Sequence, residues 1–505
     1  MEGRGRLPVL SCAEAAAAES AHLGGDARAT WRLMLLAAKA VADHARGLLA
    51  GPPRRTLVVA GKGCNGADAF LAALRLAPRG GIVDCLLAEG APRGAAARRA
   101  WRSRKDGVKV RLFNRRKPEA ACAGGHELVI DGLFGQGFRP PLSREHARIL
   151  RLAEKSGAVR VAVDLPSGVG DVGGGLAAAF RADLTVSIGC LKRPLLSRGA
   201  SRAAGRVRVA DLGLPLGETE ESAAQPALLR PLGRPRAAGT DKRHQGRALV
   251  IGGSDGMPGA ALMNVRAALQ AGAALVTAVV PASVRATAAT TTPEAMWDAF
   301  RTSRTGALAT GEAARLRSLC RGQDAVLAGS GMTADATPAL RRALAGFGGD
   351  LVLDADALRP ELLRALRGFG TLTLLPHAGE FRRLTGTAPS AETGRRWARR
   401  LGAVIVLKGP LTAVTDGRRT TFVPFGGPVL ARGGSGDLLA GMVVSLLSRR
   451  RALGLGHFEA VEAAVTWHAL AADHLGKTRG EEAVRTTELL AGLSPALRSA
   501  LRLSR

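Results

Sequence analysis

Short apolar runs of β type alternate with helical runs along nearly the whole chain, and many of the β-type runs end in a glycine-containing turn. Because adjacent parallel strands need a crossover connection, usually a helix, this alternation predicts an α/β fold around a doubly wound parallel sheet. In the first half the predicted strands are 55–60, 81–87, 127–130, 158–163 and 184–188, and the predicted helices are 12–22, 30–49, 68–76 and 144–155.

A second alternating pattern follows, with predicted strands at 248–251, 275–280, 324–328, 350–353, 372–374, 403–407 and 412–415. A helix is predicted at 259–271, and a long apolar helix follows Asp437. The segment between the halves holds Pro226, Pro231 and Pro235 and has no clear period, which is typical of a linker. We therefore expect domains at 1–215 and 239–505, joined by a linker at 216–238.

The chain carries a net charge of +30. Binding to a polyanion is one interpretation, but the arginine groups at 98–104, 115–116 and 449–451 lie far apart in sequence and only the first contains a tryptophan. Readers of single-stranded nucleic acid need several aromatic side chains. We interpret the charge as a basic surface and predict no specific nucleic-acid partner.

Six cysteines are scattered without a CxxC pair, which argues against a zinc site or a disulfide framework and indicates a reducing compartment. No apolar run approaches the ~20 residues of a membrane helix. The first ten residues lack the apolar block of a signal peptide. We expect a cytoplasmic protein with no membrane partner.

Three strand ends in the first half carry groups suited to a ligand site. The turn 61–68 is rich in glycine and opens a helix, so its N–H groups can bind an anion. Asp131 and Asp164 each end a predicted strand and precede a glycine-containing loop. Each aspartate alone could be a helix cap or turn former. Together the three loops favour a site, because ligands bind at the carboxyl ends of parallel strands.

The segment 431–441 of the second half places three glycines, a serine and Asp437 at the start of an apolar helix. The N–H groups at such a helix start can stabilise charge on a transferred phosphoryl group. Asp437 is placed to take a proton from an attacking hydroxyl. Nearby strand ends add Lys408, the pair His377 and Glu380, and the acids at 354 and 356. Glu380 is a candidate to hold Mg²⁺ through water.

The segments of the first half resemble the NAD(P)H-hydrate epimerase family over about residues 9–215. In that family an Asn-Asn-Gly-Gly-Asp-Gly loop is followed by Asp-x-Leu-Phe-Gly-x-Gly and Asp-x-Pro-Ser-Gly. The resemblance implies a Rossmann-like three-layer αβα domain, with Asp164 as the acid/base group and K⁺ bound by Asn65, Asp131 and Ser167. It implies that the hydrate is bound by Cys64, Asn65, Gly66, Ala67, Asp68, Gly132, Leu133, Phe134, Gly135, Gln136, Gly137, Phe138 and Asp164.

This half departs from the family pattern in two places. Cys64 replaces an Asn of the loop, and Ala67 and Ala69 replace glycines. An alanine is tolerated there if φ is negative and strained if φ is positive. Leu35 and Leu36 replace the polar pair of the family's Met-Glu-Asn-Ala-Gly helix. A degenerate epimerase domain therefore stays open as an alternative.

The second half resembles the ADP- or ATP-dependent NAD(P)H-hydrate dehydratases of the ribokinase-like superfamily over about residues 239–501, through the opening 244–254, the acids at 354–358 and the segment 376–380. It implies a ribokinase-like αβα domain, with Asp437 as base and the hydrate bound by Gly331, His377, Gly379, Glu380 and Arg383. The implied nucleotide contacts are Lys408, Gly409, Pro410, Leu411, Thr412, Gly433, Gly434, Ser435 and Gly436.

The two resemblances together imply a bifunctional repair enzyme for the hydrates of NADH and NADPH (NADHX and NADPHX). One domain interconverts the R and S epimers, and the other dehydrates the S form with ADP or ATP as co-substrate. K⁺ and Mg²⁺ are the implied cofactors, and a homo-oligomer is implied. A ribokinase-like small-molecule kinase with a non-catalytic first domain is the alternative, and a polyanion-binding protein is a second one. The sequence leaves the choice between ADP and ATP open.

Overall fold

The computed structural model describes residues 4–172, 176–197, 199–236, 238–242, 244–366, 368–369 and 371–503. The chain divides into two compact units. One is Leu7–Ala223, and the other joins Met1–Arg6 to Ala224–Arg505. No helix among the described residues is long and apolar enough to cross a membrane.

The first unit has helices on both faces of a parallel sheet. Its strands are β1 (Arg6–Leu10), β2 (Arg55–Ala60), β3 (Ile82–Leu87), β4 (Lys109–Asn114), β5 (Leu128–Gly132), β6 (Val159–Val163), β7 (Leu184–Ile188), β8 (Leu191–Lys192) and β9 (Arg206–Ala210). Its α-helices are α1 (Cys12–Leu23), α2 (Ala27–Arg46), α3 (Cys64–Leu76), α4 (Ala95–Arg102), α5 (Pro118–Cys122), α6 (Arg144–Glu154) and α7 (Ala200–Ala204).

The main sheet of this unit has the order β4-β3-β2-β5-β6-β7-β9, and all its pairs are parallel. Successive side chains of a strand point to opposite faces of the sheet. Thus Val58 packs in one apolar cluster with α2 and α3, while Leu57 and Val59 pack in another with α6. The predicted Rossmann-like αβα class is confirmed.

The second unit repeats this layering with different connections. The strand β10 (Glu221–Ala224) crosses the boundary between the units in the chain. The other strands of the second unit are β11 (Arg247–Ile251), β12 (Leu275–Pro281), β13 (Met296–Phe300), β14 (Ala325–Ala328), β15 (Asp350–Leu353), β16 (Leu372–Leu374), β17 (Ala403–Leu407), β18 (Thr412–Thr415) and β19 (Thr420–Val423). Its α-helices are α8 (Pro258–Gln270), α9 (Ala282–Thr291), α10 (Ala313–Cys320), α11 (Thr337–Leu344), α12 (Pro360–Ala365), α13 (Ala378–Thr385), α14 (Ala391–Leu401), α15 (Ser435–Ser448), α16 (Arg450–Leu453), α17 (His457–Arg479) and α18 (Leu489–Leu503).

Strands β13-β12-β11-β14-β15-β16-β17 of this unit are parallel, and β18 and β19 continue the sheet antiparallel. Ala248 and Val250 pack with α8, α15, α17 and α18, whereas Leu249 and Ile251 pack with α10 to α14 on the other face. The predicted ribokinase-like αβα class is confirmed. Helix α15 is almost fully buried, which explains its continuous apolar sequence.

Several elements differ from their prediction. β4 and β13 were not predicted, because their side chains are half exposed and carry charged or polar residues in place of an apolar run. The predicted linker, 216–238, is not irregular throughout. It holds β10 and a 3-10 helix, Pro226–Gly233, whose Leu229 is buried in the core of the second unit. Pro226 is tolerated at the start of this helix because the first residues of a helix leave their N–H groups without helical partners.

A buried carboxylate ties three neighbouring side chains together in the first unit. Asp84 of β3 accepts hydrogen bonds from Arg55 Nε at 2.9 Å and from Arg111 Nε and Nη2 at 2.6 and 2.7 Å. His126 Nε2 lies 2.9 Å from the same carboxylate. Burial raises the pKa of Asp84, but the hydrogen bonds from His126, Arg111 and Arg55 outweigh it and hold the pKa well below its ordinary value.

We expect Asp84→Asn to lower the free energy of unfolding of the first unit by about 3 kcal/mol, because two guanidinium groups lose their only buried counter-charge among the described residues. Since the folded pKa is depressed, this contribution is full at neutral pH and is lost as the pH falls below the ordinary value. Urea unfolding with amide exchange of the β2 and β3 residues measures it. Asp183→Asn, whose carboxylate is 42% exposed beside Arg160, should cost under about 1 kcal/mol. Equal losses in both variants would contradict the prediction.

Candidate active sites

The glycine-rich turn of the first unit leads from β2 directly into α3, which starts at Cys64. The turn predicted at 61–68 is therefore shorter, and Cys64 to Asp68 form the first helical turn. Gly66 allows close packing, since a Cβ there would lie 2.3 Å from the Gly61 carbonyl oxygen. Ala67 and Ala69 do not have positive φ, so their methyl groups cause no backbone strain.

Asp131 and Ser167 meet below this turn. The Asp131 carboxylate accepts hydrogen bonds from the Ser167 N–H and hydroxyl, both at 2.7 Å, and from the Leu133 N–H at 3.2 Å. Burial raises the pKa of Asp131 to about 6, and the hydrogen bonds from Ser167 and Leu133 oppose the shift. Asn65, the third predicted K⁺ ligand, has a buried side-chain nitrogen without a hydrogen-bond partner. The set is rich in oxygen and so fits a hard cation.

Asp164 is the centre of the first site. Its φ is +68°, a left-handed conformation that aspartate adopts more readily than most residues. The carboxylate accepts hydrogen bonds from the Gln136 and Ile188 N–H groups at 3.0 and 3.2 Å. The ammonium group of Lys192 lies 2.6 Å from it and is almost wholly buried. Burial lowers the pKa of Lys192, but the charge and hydrogen bond of Asp164, together with the charges of Cys190 and Glu19, outweigh burial and raise it. The two groups form a buried ion pair.

A cavity of about 330 Å³ opens over this pair. Its lining includes the predicted residues Cys64, Asn65, Asp68, Leu133, Phe134, Gly135, Gln136, Gly137, Phe138 and Asp164. Asp68 is buried beside Glu19 and Asp164, and burial followed by the charge of these two carboxylates raises its pKa well above the ordinary value. Met34 also lines the cavity, whereas Leu36 is 47% exposed. Of Leu35 and Leu36, which replace the polar pair of the family's helix, Leu36 therefore lies on the exposed side of α2.

In the second unit Asp437 lies in the first turn of α15. This helix begins directly after Gly434, whose φ is +85°. Asn264 donates a hydrogen bond to the Asp437 carbonyl at 2.7 Å and so fixes this turn against α8. Burial and then the Asp354 carboxylate raise the pKa of Asp437 to about 6, while the Ser330 hydroxyl and the Lys408 ammonium oppose the shift. A carboxylate of this kind is suited to general-base catalysis near neutral pH.

Lys408 links three strand ends around this turn. Its ammonium group lies 2.8 Å from Asp354 Oδ1 and 3.9 Å from Glu380 Oε2. A Cβ placed on Gly436 would lie 3.4 Å from the same nitrogen. The carboxyl ends of β15, β16 and β17 therefore bring a cation and two carboxylates to the amino end of α15, where unpaired N–H groups favour negative charge.

His377 and Glu380 cap α13 reciprocally. His377 Nδ1 accepts hydrogen bonds from the Gly379 and Glu380 N–H groups at 2.9 and 3.2 Å, and Glu380 Oε2 accepts one from the His377 N–H at 2.8 Å. The capping box fixes the Glu380 carboxylate beside Lys408 and leaves the His377 ring 59% exposed. Gly331, with φ of +66°, packs against Met257 and Ala260 at the start of α8, where a Cβ would clash.

The remaining predicted residues of the second unit lie around the Asp437 site without a hydrogen bond or ion pair to Asp437, Lys408 or Asp354 that the structure shows. Arg383 is exposed on α13, and its charge acts on Asp356. Gly409, Pro410 and Leu411 form the turn between β17 and β18, and the hydroxyl of Thr412, the first residue of β18, donates to the Gly409 carbonyl at 3.2 Å. Gly433 and Ser435 flank Gly434, and Ser435 is buried.

Sequence reasoning did not assign a site role to Lys192, Asp354 or Ser330. Asp354 ends a predicted strand, and an acid at the carboxyl end of a strand is a sequence signal for a site residue. Lys192 has no comparable signal, because only the tertiary fold brings a lysine of β8 onto the carboxylate that follows β6.

The fold and the sites define an α/β enzyme of two compact units, each with a carboxylate at its candidate site. A model of the NAD(P)H-hydrate dehydratase family matches residues 248–494, and a model of the YjeF-related protein N-terminus matches residues 30–194. The chain is 35% identical over 447 residues to the bifunctional NAD(P)H-hydrate repair enzyme of Pyrobaculum aerophilum, which covers 84% of this chain and 87% of that protein. It is 32% identical over 494 residues to the corresponding enzyme of Thermofilum pendens, with 92% of each chain covered. The chain belongs to the family of bifunctional NAD(P)H-hydrate repair enzymes.

Proposed function

We propose that the first unit interconverts the R and S hydrates of NADH and NADPH at Asp164, and that the second unit dehydrates the S hydrate at Asp437. The observation that carries this proposal is the placement of the two carboxylates. Asp164 directly follows β6, and Asp437 lies in the first turn of α15, beside the residues that follow β15 and β17. Each carboxylate has a buried or half-buried lysine near it. Family membership supplies the substrate, and the geometry supports the assignment of the two residues.

In the second unit Asp437 removes the proton of the C6 hydroxyl, and that oxygen attacks the terminal phosphorus of ADP or ATP. The bond to the leaving nucleotide breaks, and the phosphate ester at C6 becomes the new leaving group. Electrons from the ring nitrogen expel phosphate, and loss of a C5 proton restores the C5=C6 double bond. The N–H groups at the start of α15 and the ammonium of Lys408 stabilise negative charge on the transferred phosphoryl group.

The nucleotide site of this proposal is the turn 408–412 with 433–436, and the hydrate site is Gly331, the segment 377–383 and Asp437. Among the described residues no group of three or more His, Cys, Asp or Glu side chains could hold a metal ion. The oxygens of Glu380, through water, and of Asp354 would hold Mg²⁺ together with the phosphates. When bound, Mg²⁺ neutralises charge on the phosphates.

In the first unit C6 carries both a hydroxyl group and the ring nitrogen, so its configuration is reversible by proton transfer. Asp164 takes the hydroxyl proton, the C6–N1 bond opens to an aldehyde, and N1 is protonated. Ring closure on the other face of the aldehyde gives the other epimer. Lys192 holds the Asp164 carboxylate in place through their buried ion pair. We propose that Asn65, Asp131 and Ser167 bind K⁺ beneath the loop that carries Gln136.

The direct test is recovery of NADH from a purified mixture of R- and S-NADHX, followed by the absorbance of the reduced nicotinamide. The mixture contains Mg²⁺ and either ADP or ATP, with K⁺ or with Na⁺ at the same ionic strength. We expect complete recovery with K⁺. Recovery that stops at the S fraction in both salts would remove the epimerase assignment. No recovery with either nucleotide would remove the dehydratase assignment and favour a kinase that releases a phosphorylated product.

The pH dependence of dehydration follows from the raised pKa of Asp437. The base must be ionised, so kcat/KM for S-NADHX should rise about tenfold per pH unit in acid and level off above a pH of about 6. Steady-state rates from about pH 5 to about pH 8 at saturating nucleotide measure the profile. Asp356→Asn, which changes a neighbouring carboxylate, serves as the control and should keep the same profile. A rate that is flat through this range would contradict the assignment.

A further inference from the structure

The second unit has a large cavity at the end of its sheet opposite Asp437. It encloses about 1060 Å³ and is lined by residues that precede β11 and β12 and by the residues that follow α15. Four arginines contribute to the lining, and no aspartate or glutamate is present among the lining residues that the structure describes: Arg234, Arg236, Arg449 and Arg451. The arginine group at 449–451, which the sequence predicts to be part of a general basic surface, thus contributes to a concave site.

Arg449 is unusual because it is only 9% exposed. Its Nη1 donates a hydrogen bond to the Ala271 carbonyl at the end of α8, at 3.0 Å. Its Nε is buried and has no hydrogen-bond partner among the described residues. Burial, and then the charge of Arg236, lower the pKa of Arg449 to about 10. Buried charges in proteins are normally paired, but the part of the chain that the structure describes provides no counter-charge to offset the desolvation of this guanidinium.

The two guanidinium groups converge on Gly272. A Cβ on this residue would lie 1.8 Å from Arg449 Nη1 and 3.4 Å from Arg236 Nη2. The φ of Gly272 is +98°, which also favours glycine. The backbone therefore makes room for two like charges to approach each other, an arrangement that costs free energy unless an anion lies between or beside them.

The polar lining supplies further donors. Gln245, Gln270, His244 and Thr240 line the same cavity with the arginines. Guanidinium groups bind phosphate oxygens with two parallel N–H donors, and amide and hydroxyl groups complete such sites. A duplex or a long single strand does not fit, because the cavity is concave and its one aromatic residue among the described lining is Trp467.

We infer that Arg449 and Arg236 form a binding site for a small, multiply charged phosphate-type anion at the amino ends of β11 and β12, separate from the nucleotide site. Inorganic phosphate, inorganic pyrophosphate and the terminal phosphates of a small metabolite share the chemistry that this site recognises. Bound anion would join α8, α15 and the segment before β11, and so would stabilise the second unit against unfolding.

Calorimetric titration of inorganic pyrophosphate into the full chain, without nucleotide and at constant ionic strength, tests the inference. We expect saturable binding that weakens about tenfold or more in Arg236→Gln. Arg236 is exposed, so its replacement does not disturb the core. Arg449→Gln should show the same loss, and thermal unfolding without ligand reports whether that variant is folded. A parallel titration with inorganic phosphate shows which of the two anions the site binds more tightly.

Two matched variants separate this site from other sources of binding. Arg341→Gln removes an exposed arginine of α11, away from the cavity, and should leave the affinity unchanged. Lys408→Gln removes the cation of the nucleotide site and should leave this binding event in place. Binding that is lost in Lys408→Gln but kept in Arg236→Gln would assign the anion to the other end of the sheet and overturn the inference. Absence of saturable binding would also overturn it.

Discussion

Replacement of Asp437 by asparagine should lower kcat for ADP- or ATP-driven dehydration by a factor of about 10² to 10⁴, the usual contribution of a general base. Asparagine has almost the same shape but accepts no proton. It keeps the backbone contact of the Asp437 carbonyl with Asn264. The helix start and the donors for the phosphoryl group therefore remain, and the loss falls on the chemical step. Single-turnover rates with S-NADHX and saturating nucleotide measure it.

This substitution should not destabilise the protein at neutral pH. The folded-state pKa of Asp437 is raised to about 6, so the ionised carboxylate opposes folding above its ordinary pKa. Asparagine removes that unfavourable charge, and the free energy of unfolding should stay equal or rise. Epimerisation by the first unit serves as an internal control and should be unchanged. A dehydration rate within about threefold of the wild type would exclude Asp437 as the base.

Replacement of Asp164 by asparagine should lower the rate of epimerisation by a similar factor, about 10² to 10⁴. It should also lower the free energy of unfolding of the first unit by about 3 kcal/mol, because the ammonium of Lys192 is left buried without its partner. Exchange of the R and S hydrates in the absence of nucleotide, followed by chromatography, measures the rate. Urea unfolding measures the stability.

A second variant separates the two effects. In Asp164→Asn with Lys192→Met the unpaired ammonium is removed, so stability should return towards the wild-type value while the rate of epimerisation stays low. Recovery of both would mean that the ion pair only supports the fold. Loss of epimerisation with no change in the stability of Asp164→Asn would mean that Lys192 finds another partner, such as the Ile188 carbonyl that it already contacts.

Much of the fold follows from local sequence. Buried strands with a mostly apolar sequence, such as β7, β15 and β17, have the bounds that the sequence predicts. β19 is equally buried but begins with two threonines, and it was not predicted. Edge strands such as β4 were missed, because one side of their ladder is open and their side chains are charged. The start of α3 was placed four residues late. Cys64, Asn65 and Gly66 have no helical signal of their own, and packing of the turn against β5 decides their conformation.

The class of fold follows from the sequence alone, and so do the predictions of two domains and of the two carboxylates that we propose as catalytic, because glycine turns beside apolar strands and helices are local signals. Which charges meet depends on the tertiary structure. Lys192 lies beside Asp164, Asp354 lies beside Lys408, and Arg449 lies beside Arg236, although these partners are 28, 54 and 213 residues apart. Periodicity within a strand or helix carries no information on such distant pairs. Their energies depend on burial and on the order of strands in the sheet, which exist only once the chain has folded.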